Sequence, residues 1–357
     1  MHNYILFEYV IFFTACLVFS ILINSILLKF VKTLGIRNNN DTVIRWSETS
    51  KPAIGGISFF IIFLLSITAY PFLFEVSQYF LNLHFIGLLF ASCLGFLMGL
   101  FDDAYNTKPL IKIFTQITCG IILISTNMYI HLFDNNTFNY IITLLWVVGM
   151  MNAINMLDNM DAITTIVSIS IVLTIILNLY IIGDMHHPDV FILIGILAGL
   201  IGFLKFNWNP SKMYMGDTGS QFLGIFLAYF GIKYFWNQES INGQEIFSKQ
   251  IISAVLIFSI PIIDTTTVFI KRIRNKKTPF IGGRDHTTHH MSYLGFSEKQ
   301  VALIYADISV VNIILSIIIF NYISQWSYWH ITLFSFYILM LFTSLFYIAN
   351  LNTQNNN

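Results

Sequence analysis

Asn82-Leu-His-Phe-Ile-Gly-Leu-Leu-Phe-Ala-Ser-Cys-Leu-Gly-Phe-Leu-Met-Gly-Leu-Phe-Asp102-Asp103 sets the terms for the whole chain. A run of roughly 20 apolar residues is long enough to cross a bilayer as a helix. This one ends on two adjacent carboxylates. Ionisable groups at the edge of a membrane span are costly unless they find partners or a polar cavity, so they read as functional. Three further polar islands sit at the edges of similar runs. They are Asn152-Ala-Ile-Asn155-Met-Leu-Asp158-Asn-Met-Asp161, Met215-Gly-Asp217-Thr-Gly-Ser220 and Arg284-Asp-His286-Thr-Thr-His289-His290. Together the islands bring carboxylates and histidines from separate spans, a pattern suited to a metal and phosphate site at a membrane face.

The composition agrees with a membrane setting. Of 357 residues, 56% are hydrophobic and only 10% charged, against about 25% charged in ordinary soluble domains. Mean hydropathy is +0.72. Net charge is zero, so overall charge points to no class of partner, and no nucleic-acid partner is expected. Cys16, Cys93 and Cys119 lie in apolar runs without pairing or metal-ligand spacing and read as packing residues. The N-terminal run to about Leu28 lacks a basic leader and a cleavage site, so it reads as a retained first span. The Asn-rich stretch 350–357 reads as a short flexible tail.

The expected fold is an all-α polytopic bundle of about eleven transmembrane helices. The spans fall near 5–31, 53–73, 82–101, 110–130, 138–157, 161–182, 188–206, 218–236, 250–270, 300–322 and 328–350. Only a tight turn separates the fifth from the sixth, which leaves a ten-span reading open. No repeat and no separate soluble domain is visible, so residues 1–357 read as one membrane domain. Sixteen of the eighteen Lys and Arg residues fall on one side of this arrangement, and only Lys233 and Lys249 on the other. By the positive-inside rule the loaded side is cytoplasmic and the N-terminus is outside. All four islands then share the cytoplasmic face, where a cleft is expected to meet a soluble anionic substrate.

Each island also has a plainer reading. Asp102-Asp103 is a divalent-cation site or a general base, or only a solvated loop. Lys112 and Gln116 lie one helical turn apart beyond it, and Lys112 either binds phosphate or neutralises the acids. Asn152, Asn155, Asp158 and Asp161 continue a polar stripe that suits a nucleobase or sugar edge, although asparagines also join spans by hydrogen bonds. Asp217, between Gly216 and Gly219, holds a metal or caps a helix, or does both. Asn207 and Tyr214 lead into it. Tyr214 stacks on a base or anchors at the interface. His286, His289 and His290 sit in a basic setting with Arg284, which suits phosphate better than zinc. Asp264 is placed to pair with this patch, and Asp285 to orient a histidine or pair with Arg284.

The islands, in this order, resemble the bacterial polyprenyl-phosphate N-acetylhexosamine-1-phosphate transferases, glycosyltransferase family 4. The resemblance runs from Lys51-Pro-Ala-Ile-Gly-Gly56 to about Gly295. It implies that Asp102 and Asp103 are the paired catalytic aspartates and that His286, His289 and His290 form a loop that binds sugar or phosphate; Lys112, His289 and His290 are expected to act with the aspartates. It places Asp217, with Asp103, at Mg2+ (or Mn2+). It implies that Asn152, Asn155, Asp158, Asp161 and Tyr214 bind the nucleotide; Asn207, Arg284 and His286 are expected to bind substrate with them. Where relatives usually read Asp-Gly-x-Asp-Gly, this chain has Asp158-Asn159-Met160-Asp161-Ala162. Larger residues thus replace both glycines, which reshapes the turn. Two residues separate His286 from His289, where relatives often have one.

The implied reaction joins UDP-HexNAc, GlcNAc foremost, to undecaprenyl phosphate with release of UMP, at the inner membrane of a bacterium, and so starts a cell-envelope polysaccharide. A homodimer is left open. The competing class is a transporter or lipid flippase, whose acids would lie near the bilayer midplane.

Overall fold

A backbone in hydrocarbon must satisfy its own N–H and C=O groups, and apolar runs do so as helices. The computed structural model describes residues 2–34, 51–74, 82–238, 246–276, 278 and 283–351. Arg37, Arg45, Lys277 and the tail beyond Leu351 lie outside these. The elements are α1 (His2–Leu34), α2 (Gly56–Phe74), α3 (Leu83–Tyr105), α4 (Pro109–Ser125), α5 (Asn136–Leu157), α6 (Ile163–Ile182), α7 (Pro188–Asn207), α8 (Gly216–Gly231), α9 (Phe247–Ile257), α10 (Ser259–Arg274), α11 (Thr287–Tyr293), α12 (Glu298–Asn321) and α13 (Tyr328–Asn350). α8 runs on into a π-helical turn, Ile232–Trp236. Among the described residues the only β pairing is an isolated bridge between Ala53 and Tyr214. The chain is an all-helical integral membrane protein.

Helices occupy every expected segment, but the span count differs. Among the described residues seven helices are long and apolar enough to cross a membrane, namely α1, α3, α5, α6, α7, α12 and α13. α2 and α4 are shorter apolar helices, and α8 has 16 residues. The run expected at 250–270 is two helices, α9 and α10, bent by 77°. Counted as one span, this pair makes eight. Pro261 in the first turn of α10 explains the bend, because it cannot donate to the carbonyl of Ile257 and its ring crowds that position.

α7 and α8 form the centre. From Thr218 to Gly231 every side chain of α8 is buried. α3, α5 and α2 pack around α8, and α1, α2 and α6 around α7. Phe60 stacks on Phe96 and meets Phe222 edge-on, which locks α2, α3 and α8 together. α1 and α13 present Leu6, Phe7, Val10, Phe336 and Leu339 outward, an apolar surface that water would disfavour and lipid accepts.

The alternation of helices brings the C-terminal ends of α3, α5, α7 and α10 to the same end as the N-terminal ends of α4, α6, α8 and α12. α1 begins at the opposite end, where Tyr9 donates to the carbonyl of Met185 at 2.5 Å.

Candidate active site

Glycine brings the acids together. A Cβ on Gly99 would lie 2.1 Å from the carbonyl oxygen of Asp217, and one on Gly56 would lie 2.1 Å from the amide of Gly219. α2 and α3 therefore press directly on the first turn of α8. Gly216, with φ +73°, opens that turn, and a Cβ there would meet Asp103 Oδ2 and the carbonyl of Ala53, each at 2.6 Å. Asp103 uses this approach to cap α8. Its Oδ1 accepts from the Asp217 amide at 3.2 Å, and its Oδ2 accepts from the Thr218 amide at 2.8 Å and hydroxyl at 2.7 Å. Asp103, expected beside Asp217 at the metal, thus has both oxygens engaged on the helix start.

Lys112 in α4 is the hub. Its ammonium lies 2.6 Å from Asp102 Oδ2 and 2.7 Å from Asp217 Oδ2. The other oxygen of Asp102 accepts from the amide of Thr107 at 2.9 Å and from its hydroxyl at 2.6 Å. Asn155 donates to Asp217 Oδ1 at 3.0 Å and to the Ser220 hydroxyl at 2.8 Å. Asp102, Asp103, Lys112, Asn155 and Asp217 are therefore one connected cluster. Asp158 closes α5 beside it and is half-buried. Burial, and then the negative charges of Asp217, Asp103 and Asp161, push its carboxyl up to about 8.

The turn after Asp158 carries strain. Ala162 takes φ +68° at the start of α6, a conformation that favours glycine. Its amide, with the Thr165 hydroxyl, donates to Asn207 Oδ1 at 3.1 and 2.8 Å, while Asn207 Nδ2 donates to the carbonyl of Met213 at 3.2 Å. Asn207, expected at the substrate, is a buried brace with each of its side-chain polar atoms engaged in the protein.

Asp161 is likewise turned inward. It accepts from Asn209 Nδ2 at 3.0 Å, from the Ser211 amide at 2.8 Å and from the Ser211 hydroxyl at 2.7 Å. Lys51 stands 3.6 Å from it and 5.1 Å from the centre of the half-buried Tyr214 ring. Asn209 also donates to Glu298 at 2.6 Å.

The histidine stretch folds into α11, which the sequence did not foretell. Asp264 in α10 organises it, facing His286 Nδ1 at 2.8 Å and accepting from the Thr287 amide at 2.9 Å and hydroxyl at 2.6 Å. The expected pairing of Asp264 with this patch is present. Asp285 forms a fork with the buried Arg272, Nε and Nη2 each at 2.8 Å. Burial raises the Asp285 carboxyl, but Arg272 outweighs it and holds the group below the ordinary range. Lys271 bridges the His290 ring and the carbonyl of Ala349.

His289 is buried. Its pKa is lowered to about 3 by burial and then by His286, and that of His290 to about 4 by burial and then by Lys271. Arg284 is exposed. The Thr288 hydroxyl donates to Asn159 at 2.6 Å, which ties α11 to the turn after Asp158. Lys51, Asn159 and Thr218 are the neighbours the reading of the sequence did not place. Lys51 is a cation beside a Gly-Gly turn, while Asn159 and Thr218 lie inside the polar islands themselves.

Among the described residues no three His, Cys, Asp or Glu side chains form a metal-ligand set. The cluster instead offers two carboxylates joined by one ammonium. Mg2+ commonly takes one or two carboxylates and completes its shell with water and substrate phosphate, so Asp102 and Asp217 fit it only where the ion takes the place between them that the Lys112 ammonium holds.

The chain is similar to several proteins of named activity. A probable undecaprenyl-phosphate N-acetylglucosaminyl 1-phosphate transferase of Bacillus subtilis is 26% identical over 82% of this chain and 79% of its own length. A phospho-N-acetylmuramoyl-pentapeptide-transferase of Campylobacter jejuni is 25% identical over 81% and 88%. A decaprenyl-phosphate N-acetylglucosaminephosphotransferase of Mycobacterium leprae is 25% identical over 58% and 57%. Residues 85–235 match the model of glycosyl transferase family 4. That stretch runs from α3 to the π-helical turn and holds the whole Asp102–Lys112–Asn155–Asp217 cluster, so the resemblance drawn from the polar islands is to glycosyl transferase family 4.

Proposed function

We propose that this chain transfers a HexNAc-1-phosphate group, GlcNAc-1-phosphate foremost, from a UDP-sugar to undecaprenyl phosphate. An oxygen of the lipid phosphate forms a bond to the sugar-bearing phosphorus, the bond from that phosphorus to UMP breaks, and UMP leaves. The observation that carries this reading is the Lys112 ammonium held between Asp102 and Asp217. A cation between two carboxylates, at the end of a membrane bundle, suits two phosphates that must meet despite their charge. The names of the Bacillus subtilis and Mycobacterium leprae relatives point the same way.

Asp217 and Asp102 are the residues that would hold Mg2+, which when bound screens the pyrophosphate and polarises its oxygens. Asp103 fixes the start of α8, and Asn155 holds Asp217 in its rotamer. Lys112 is the local cation that an entering phosphate meets. The tyrosine ring beside Lys51 offers a stacking face for the uracil. We place the cleft on the cytoplasmic face of a bacterial cell membrane, with the N-terminus outside, because the basic residues gather at the end that carries the site. A transporter fits less well, since its acids would belong near mid-bilayer.

The test is purified protein with polyprenyl phosphate, a panel of UDP-sugars and either Mg2+ or Mn2+. UMP release should require a UDP-HexNAc, the lipid phosphate and the cation together. Asp217→Asn should lower turnover by at least about 100-fold while the protein still inserts and purifies. Wild-type protein that forms no lipid-linked sugar with any donor would overturn the activity. Undiminished turnover of Asp217→Asn at limiting Mg2+ would overturn the cation assignment. For sidedness, a cysteine at the exposed Asn275 should react with an impermeant thiol reagent only after spheroplasts are opened.

A further inference from the structure

One helical turn deeper than the charged cluster lies a second polar layer. Gln116 follows Lys112 by four residues in α4, Asn152 precedes Asn155 by three in α5, and Gln221 follows Asp217 by four in α8. These spacings put each amide on the same helix face as its charged or polar partner. The three amides touch one another. Asn152 Nδ2 donates to Gln116 Oε1 at 2.7 Å, and Gln116 Nε2 donates to Gln221 Oε1 at 3.2 Å and to Asn152 Oδ1 at 3.4 Å. Asn152 also donates to the carbonyl of Val148 at 2.8 Å. Gln116 and Gln221 are 0% and 1% exposed.

Two fully buried amides and a third that is half-buried are costly to desolvate and are retained only where their bonds hold something in place. What they hold follows from the helices they join. Rotating α4, α5 or α8 would break an amide contact and would also swing Lys112, Asn155 or Asp217 out of the cluster above. α4 needs this most, because its lipid side shows Leu110, Ile111, Phe114 and Ile121 and apolar contact alone sets no unique rotation.

We infer that Gln116 and Gln221 are positioning residues that fix the rotation of α4 against α8 and so hold Lys112 between the two carboxylates, without touching substrate. This rests on the activity proposed above. The test is a double-mutant cycle with Gln116→Met and Gln221→Met, near-isosteres that lack amide groups, read by kcat, by KM for both substrates and by hydrogen exchange of the segment Met215–Ser220. Each single variant should lose at least tenfold in kcat with both KM values within threefold of wild type. The double variant should be no worse than the worse single, because both act on one contact. Exchange at Met215–Ser220 should quicken in every variant.

A raised KM with unchanged kcat would make these residues substrate contacts and overturn the inference, as would multiplicative losses in the double variant. Gln116→Asn serves as a second variant where Gln116→Met fails to fold, and must show the same split between kcat and KM. If the wild-type protein transfers no sugar phosphate, the activity reading fails separately. Hydrogen exchange then decides the positioning role, and unchanged exchange in both single variants overturns it.

Discussion

Two charged clusters lie at opposite ends of α3 and α7, and they are built on opposite rules. At the far end, Asp189 is fully buried and fully matched. Lys233 reaches it at 2.6 Å, the Tyr234 hydroxyl at 2.8 Å and His187 at 3.6 Å. At the near end, Lys112 is the ammonium shared by Asp102 and Asp217, with Asp103 and Asp158 close by. The far cluster balances one acid against one lysine and buries the acid completely, leaving the lysine and histidine side chains in reach of solvent. The near cluster has more acid than cation and stays partly open, with Lys112 and Asp217 side chains 25% and 27% exposed. Balanced charge makes a joint between helices, whereas unbalanced charge that solvent can reach makes a site for a cation and an anionic substrate.

The sharpest break of this contrast is to remove the lysine at each end. Lys112→Met should reduce turnover by about 100-fold or more while leaving a protein that folds, since Asp217 can still reach solvent and the buried Asp102 keeps its bonds from Thr107. Lys233→Met should do the reverse. It strands the buried Asp189, and breaking a buried pair costs about 3–5 kcal/mol. The lower end applies because Lys233 is itself a quarter exposed. Turnover per folded molecule should not change. Thermal denaturation in detergent, measured beside UMP release, checks both. Equal losses of activity in the two variants would erase the distinction.

A smaller effect sharpens the comparison by pH. His289 is held neutral, with its pKa lowered to about 3 from an ordinary 6.5. The unfolded chain therefore takes up this proton before the folded one does. The folded state keeps its full advantage above about pH 6.5 and loses it progressively as pH falls towards 3. His290, lowered to about 4, acts in the same direction. His289→Gln should flatten the fall in melting temperature between pH 7 and pH 4, and an unchanged acid limb would refute this. The smallest expected effect is at Ala162. Restoring glycine at φ +68° should stabilise the protein by about 1 kcal/mol, read as a raised melting temperature.

Much of this was legible in the sequence. Run length located the helices, and the parity of the runs brought the polar islands to one end before any contact was known. The bend between α9 and α10 was hidden because Pro261 sits inside a run long enough and apolar enough to be read as one span. Residue type also cannot say whether a polar group faces a ligand or the protein. Asn207 and Asp161 carry the chemistry of a nucleotide site, yet their oxygens are taken by Ala162, Thr165 and Ser211. Asp285 found Arg272 on α10, because pairing across helices depends on rotation that sequence adjacency does not encode. The glycine-to-alanine departure at position 162 was visible, but its meaning needed the backbone angle.

Gly56, Gly99 and Gly219 are the places where α2 and α3 meet α8. Their consequence concerns heredity as much as geometry. A map of tolerated substitutions across this chain should be darkest in two kinds of place, at the acids and at these glycines. None of the three offers a functional group, yet a single added methyl at any of them would move the floor on which Asp103 and Asp217 stand.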